Sequence, residues 1–276
     1  MELGIVTGHG SLRMSPYDTL IVELVTDHVA VVTMNRPDSA NALNTAMGQD
    51  LIDYFEATAM RPGDVRCLVL IGSGEQAFCA GGDLKERNGM SDAAWREQHL
   101  VFERMVRAIL ACPIPVIAAV NGAAYGGGLE IAACCDFIYA SSTARFALPE
   151  TRLGIIPGGG GTQTIARAIG ERRTKELLLG AEPFDAASAA AWGLVNRLLA
   201  PGDLRDAAIE KACHISANAP LAVRQAKQAI GRGLQMSLSD GLAFEIEAYN
   251  RLVSTNDRKE GVLAFNERRT PRFEGR

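Results

Sequence analysis

Over about the first two hundred residues, short apolar runs bounded by turn residues alternate with longer stretches of helical periodicity. Val65–Gly72 (VRCLVLIG) and Pro113–Val120 (PIPVIAAV) are almost wholly apolar, the pattern of strands covered on both faces. Thr19–Met34 predicts two strands broken at Thr26–Asp27–His28, with β-branched or small residues from Val29 to Val32. Met47, Leu51, Ile52 and Phe55 recur at helical spacing, predicting a helix over Thr45–Met60 that the polar loop NRPDSANALN leads into. A polar, irregular Arg87–Trp95 precedes a helix predicted over Glu97–Leu110, with Leu100, Val101, Met105, Ile109 and Leu110 on its buried face. Asp136–Ser141 and Arg145–Ala147 read as strands, GIIPGGGG leads into one helix (TQTIARAIGERRTKELLLG), and Pro183–Leu199 reads as a helix followed by a short strand. Beyond Pro201, helical periodicity and charge dominate and no buried strand follows. The pattern predicts an α/β core of repeated strand–strand–helix units over residues 17–200, a helical region over 201–276 and a disordered lead-in over 1–16.

Two of the buried strands run into small-residue turns that open helices: Ala80–Asp83 and Tyr125–Gly128, the latter holding Gly126, Gly127 and Gly128. Glycine lets a ligand approach the backbone closely, and a helix start presents unpaired N–H groups to negative charge. Two such turns facing one oxygen would stabilise an enolate formed from a thioester or similar carbonyl. Glu130 follows Gly127 within one helical turn, and Glu150 follows Pro149 after the apolar approach FALP, where desolvation would raise its pKa. Taken singly, Glu130 reads as a charge favoured at a helix start and Glu150 as a solvated loop residue; with two oxyanion turns nearby, they read as an acid–base pair. The four glycines Gly158–Gly161 lack the Lys-Ser/Thr ending of a phosphate loop and the spacing of a dinucleotide fingerprint.

Composition narrows the partners. The formal charge of -4 gives no electrostatic reason to expect nucleic acid or an acidic membrane surface, and no apolar run reaches a spanning length of roughly 20 residues. Cys67, Cys79, Cys112, Cys134, Cys135 and Cys213 show no metal-binding or disulfide spacing and read as packed thiols of a reducing compartment, hence a soluble cytoplasmic protein with no metal. His28 reads as a turn residue.

The segments NRPDSANALN, AFCAGGDLKE, NGAAYGGGLEIAACCDF and FALPETRLGIIPGGGGTQ resemble, in order, the signatures of the enoyl-CoA hydratase/isomerase (crotonase) family. The resemblance runs from about Thr19 to the ending ERRTPRFEG. CAGGDLKER, IIPGGGGTQ and AFNERRTPRFEG are most similar to the 3-methylglutaconyl-CoA hydratase branch. It implies a spiral of ββα units, a C-terminal helical region that makes trimers or hexamers, and an acyl-CoA substrate with no separate cofactor, coenzyme A being part of the substrate. It also implies that the N–H groups of Gly82 and Gly127 hold the thioester oxygen, that Glu130 activates water and that Glu150 exchanges the α-proton, although the reverse division fits the residues equally. Further implied acyl-CoA contacts are Ala40, Ala42, Ala80, Asp83, Leu84, Tyr125, Gly126, Pro149 and Gly158, with Phe265 against the adenine and Arg268 reaching a neighbouring subunit's CoA.

Three departures accompany it. Asp38 stands where hydratases often carry a lysine near the CoA phosphates, Gly82 replaces a common alanine, and ERRTKELLLG lacks the lysine-rich character of RNA-binding members. Leu84, Met90, Trp95 and Phe102 are candidate walls for the acyl chain. A carboxylate on the substrate would call for a cation, for which Arg87, Arg96 and His99 are equal candidates.

Overall fold

The computed structural model describes residues 6–7 and 16–276. Most of the expected lead-in therefore lies outside the described residues, but β1 (Val6–Thr7) runs parallel to Glu23–Leu24 of β2 (Leu20–Thr26). β2 forms a hairpin with β3 (Val29–Met34), and α1 (Thr45–Met60) follows the polar loop, capped where Asn44 Oδ1 accepts the Met47 N–H at 2.9 Å.

The chain then winds through successive units. β4 (Cys67–Gly72) is followed by β5 (Ala77–Cys79), the single turn α2 (Leu84–Arg87) and α3 (Asp92–Leu110). β6 (Val116–Val120), β7 (Ala123–Tyr125) and α4 (Gly127–Cys134) make the second unit. β8 (Phe137–Ser141), β9 (Arg145–Ala147), α5 (Gly161–Ile169) and α6 (Glu171–Gly180) make the third. β10 (Phe184–Asp185), α7 (Ala186–Ala191) and β11 (Arg197–Leu199) close the spiral. In these three units the first strand enters a large sheet of order β1-β2-β3-β4-β6-β8-β11 and the second a small sheet of order β10-β9-β7-β5; in the closing segment β10 joins the small sheet and β11 the large one.

Double burial explains the apolar runs. In β4, Leu68 and Leu70 join the main core, while Cys67, Val69 and Ile71 face a second cluster completed by Leu204, Ala208 and Ala212 of α8 (Leu204–Ser216). Because α8 covers the large sheet, the core extends past the boundary expected near residue 200. The last helices, α9 (Pro220–Gly233), α10 (Leu238–Val253) and α11 (Asn256–Glu267), lie beyond it, tied back where Lys227 Nζ donates to Ile114 O at 2.9 Å and Asp136 Oδ2 at 2.7 Å. Leu234, Leu238, Leu242 and Ile246 of this region are exposed.

Three expectations change. Helix α3 starts at Asp92 instead of Glu97, because Ser91 Oγ accepts the Ala94 N–H and caps a first turn that lies ahead of the apolar period. Gly170, at φ +84°, breaks the expected single helix over 162–180 into α5 and α6. The glycine turns also leave not the long buried strands but the short strands β5 and β7, which pair in parallel. All six cysteines are free thiols, and among the described residues no helix is long and apolar enough to cross a membrane.

Candidate active site

Parallel pairing of β5 with β7 delivers the two small-residue turns side by side. Leu43 then brackets the first turn: its N–H donates to Gly81 O at 2.7 Å and its carbonyl accepts the Asp83 N–H at 2.9 Å. The bracket skips the Gly82 amide, and among the described residues neither the Gly82 nor the Gly127 N–H has a hydrogen-bond partner. The turns are also pressed together. A Cβ on Gly128 would meet the Cys79 carbonyl oxygen at 2.0 Å, and one on Gly127 would lie 3.9 Å from Gly82 N. Glycine is needed at 128 for close approach and at Gly81 for its φ of +92°.

Glu130 sits in the first turn of α4 at 4% exposure. Its Oε1 accepts the N–H of Gly159 at 2.8 Å and of Gly161 at 2.7 Å. A Cβ on Gly159 would stand 2.9 Å from Oε2, and one on Gly161 would stand 3.0 Å from Oε1. The glycine run before α5 is therefore a cradle for a carboxylate. The sequence reading rejected a phosphate loop there but missed this role; the only available signal was the helix start facing an unassigned anion. Burial pushes the Glu130 pKa up, and the Gly161 and Gly159 amides pull it partly back.

Glu150 opens a turn of 3-10 helix over Glu150–Leu153 and is only 7% exposed, not a solvated loop residue. Burial raises its carboxyl pKa to about 7, opposed by its own backbone amide and assisted by the neighbouring Glu130 charge. Its Oε2 is buried without a hydrogen-bond partner.

Both carboxylates and both turns open into one cavity of about 1040 Å³. Of the residues expected at the site, Ala80, Gly82, Leu84, Gly126, Gly127, Glu130, Pro149, Glu150 and Gly158 line it, as do Trp95, Phe102, Arg87, Arg96 and His99. Leu100, expected in the core, is exposed because it faces this cavity, and Leu153, Ile155 and Ile156 add an apolar wall that sequence reasoning did not single out.

Other expected contacts stand back from the lining. Asp83 is turned to structural work: Oδ1 caps α2 through the Lys85 and Glu86 amides, and Oδ2 pairs with Arg36 at 2.9 Å. Burial opposes ionisation of Asp83, but Arg36 and these amides together hold its pKa below the usual value. Ala40 accepts the Ala80 N–H at 3.1 Å, so the Ala40–Ala42 segment supports the first turn from behind. The Tyr125 carbonyl faces Gly81, where an added Cβ would meet it at 2.7 Å. Met90 does not reach the cavity, and Asp38 lies exposed in a short turn of 3-10 helix, Pro37–Ser39. Phe265, 84% exposed on α11, and Arg268, which ends that helix at φ +55°, are outside the cavity of the single chain. No group of three or more His, Cys, Asp or Glu side chains suited to a metal occurs among the described residues.

The sequence profile of the enoyl-CoA hydratase/isomerase family matches residues 25–276, which includes every element that builds this cavity. The chain belongs to the enoyl-CoA hydratase/isomerase family. It is accordingly an enzyme, with the mixed α/β fold of that family. An enoyl-CoA hydratase structure from Bacillus anthracis superposes with a TM-score of 0.92 at 41% identity, covering 94% of this chain and all of that one (100%). Among curated relatives, the short-chain-enoyl-CoA hydratase of Clostridium acetobutylicum is 43% identical over 87% of this chain and 92% of its own length. The mitochondrial methylglutaconyl-CoA hydratase of Mus musculus is 39% identical over 90% of this chain and 80% of its own. Similarity is thus spread across family members named for different acyl groups.

Proposed function

We propose that the protein reversibly adds water across the double bond of a trans-2-enoyl-CoA to give a 3-hydroxyacyl-CoA. The observation that carries this reading is the placement of two buried carboxylates, Glu130 and Glu150, in one cavity with the unpartnered amides of Gly82 and Gly127. Names of relatives such as the Clostridium hydratase support water as the second reactant.

In this reading the thioester oxygen accepts both amide N–H groups. Glu130, ionised and oriented by Gly159 and Gly161, takes a proton from water as the hydroxyl adds to the β-carbon. The double-bond electrons move onto the thioester as an enolate, whose charge the two amides stabilise. Glu150 then gives its proton to the α-carbon, and transfer of the proton from Glu130 back to Glu150 resets the pair. A carboxyl with a pKa near 7 can give and accept that proton at neutral pH. No group beyond the substrate's own coenzyme A takes part.

The exposed apolar positions on α9 and α10, with Phe265 and Arg268 outside the single-chain cavity, support assembly into trimers in which one copy reaches a neighbour's CoA. The test is incubation with crotonyl-CoA, with loss of enoyl-thioester absorbance and a mass gain of one water as the expected result. A double-bond isomerase working through Glu150 alone would retain its activity in Glu130→Gln, whereas a hydratase would not.

A further inference from the structure

A buried polar side chain stands behind the first glycine turn with both ends of its carboxamide bonded to backbone. Asn41, at 0% exposure, lies in the loop between β3 and α1. Its Nδ2 donates to Ser73 O at 2.9 Å and to Ala77 O at 2.8 Å, and its Oδ1 accepts the Arg36 N–H at 2.9 Å. Ser73 follows β4 and Ala77 opens β5, so one side chain ties the loop to the connection that delivers the first turn. The tie also holds an unfavourable backbone. Ala40 and Asn41 take φ of +51° and +53°, a left-handed conformation that side-chain-bearing residues keep only where their surroundings enforce it.

From this loop three hydrogen bonds reach the turn. Ala40 O accepts the Ala80 N–H at 3.1 Å, the Leu43 N–H donates to Gly81 O at 2.7 Å, and Leu43 O accepts the Asp83 N–H at 2.9 Å. Leu43 and Gly82 thereby form an isolated parallel bridge. In such a bridge the backbone groups of the middle residue point away from the paired chain. Bonding of Gly81 O and Asp83 N to Leu43 therefore turns the Gly82 N–H away from the loop, free to face the cavity that Gly82 lines. An amide stabilises a developing oxyanion only when it is aimed at it, so slack in the loop would be felt at that N–H.

We infer that Asn41 is a positioning residue for the first oxyanion donor: its carboxamide fixes the loop whose Leu43 aims the Gly82 amide. The inference rests on the reading of the Gly82 and Gly127 amides as the site of the thioester oxygen, and it assigns what holds the first of them in place.

The test reads the amides separately from the carboxylates. Hexa-2,4-dienoyl-CoA carries a conjugated thioester whose ultraviolet band moves to longer wavelength when hydrogen bonds polarise its carbonyl, and the wild type is expected to produce that red shift on binding it. Asn41→Gly suits the left-handed backbone but removes the tie, whereas Asn41→Asp keeps the shape and the acceptor but loses both N–H donors. Both variants should show a smaller red shift and a kcat for crotonyl-CoA hydration at least about tenfold lower, with a lesser change in KM, as expected for a donor misaimed in the transition state. Leu204→Ala serves as a control for lost stability. It opens a cavity in the second core cluster, between the large sheet and α8, and should lower the thermal midpoint while leaving kcat and the red shift unchanged. Wild-type kcat and red shift in either Asn41 variant, or an equal loss of both in Leu204→Ala, would overturn the assignment and leave the hydratase reading standing. Absence of the red shift in the wild type would instead remove the two-amide site, and this inference with it.

Discussion

A Cβ placed on Gly126 would fall 2.8 Å from Glu150 Oε1, so the backbone of the second glycine turn and the carboxyl of Glu150 occupy adjoining space with no room for a methyl group. In the proposed mechanism the turn that supplies one oxyanion donor thus also seats the acid. Gly126 further takes φ +50° and ψ -122°, a conformation that an L side chain adopts only under strain. Gly126→Ala is expected to lower kcat at least about 100-fold by shifting Glu150 and the Gly127 amide together. Steady-state kinetics, with circular dichroism to confirm folding, would check this.

Glu130→Gln keeps an oxygen able to accept the Gly159 and Gly161 N–H groups, so the glycine cradle should survive the change. Loss of the ionisable carboxylate removes the base, and hydration should fall by about 10²–10⁴ with little change in thermal midpoint. A large drop in stability would show that Glu130 serves packing more than chemistry.

In the proposed mechanism the two carboxyls work as a pair carrying one proton. Raising the pH through about 7, where Glu150 ionises, removes that proton, so kcat/KM should fall about tenfold per pH unit above it. Hydration and dehydration should share this limb, because a pH-independent equilibrium fixes the ratio of the two kcat/KM values. Activity should also fall at acidic pH as the raised Glu130 carboxyl takes a second proton. Profiles measured in both directions would expose any disagreement.

The same group sets a stability trend. The Glu150 pKa is about 7 in the folded chain against an ordinary 4.5, so its stabilising contribution is complete below about 4.5 and lost as pH rises through 7. Glu150→Gln should therefore flatten the decline in thermal midpoint of the wild type between about pH 5 and pH 8, which a series of melting curves would read.

Gly128→Ala addresses the joint between the turns. Its Cβ would lie 2.0 Å from the Cys79 carbonyl oxygen, a backbone atom that cannot give way cheaply. A loss of about 1–3 kcal/mol in denaturant unfolding is expected, together with loss of activity as the Gly82 and Gly127 amides move apart. An alanine variant with normal stability would contradict this packing.

Much of this was legible in the sequence. Apolar runs located the strands of the large sheet because those strands are covered on both faces, and the glycine turns marked the unpartnered amides of Gly82 and Gly127. Strand β5 (Ala77–Cys79) was not visible, since three residues are too few for a period and what holds them is pairing with Ala123 and Ala124 of β7. The start of α3 was hidden because Ser91 sets it by capping, ahead of the apolar period. The cradle formed by Gly159 and Gly161 is a long-range relationship, with 29 and 31 residues separating the two glycines from Glu130.

The most direct measurement of the central claim is incubation of the protein with crotonyl-CoA in water enriched in heavy oxygen, followed by mass spectrometry of the intact thioester. The account predicts a 3-hydroxyacyl-CoA carrying one heavy oxygen at the β-carbon, formed by the wild type and not by Glu130→Gln. An unchanged thioester, an unlabelled positional isomer, or heavy oxygen appearing only in a free acid released from CoA would contradict it.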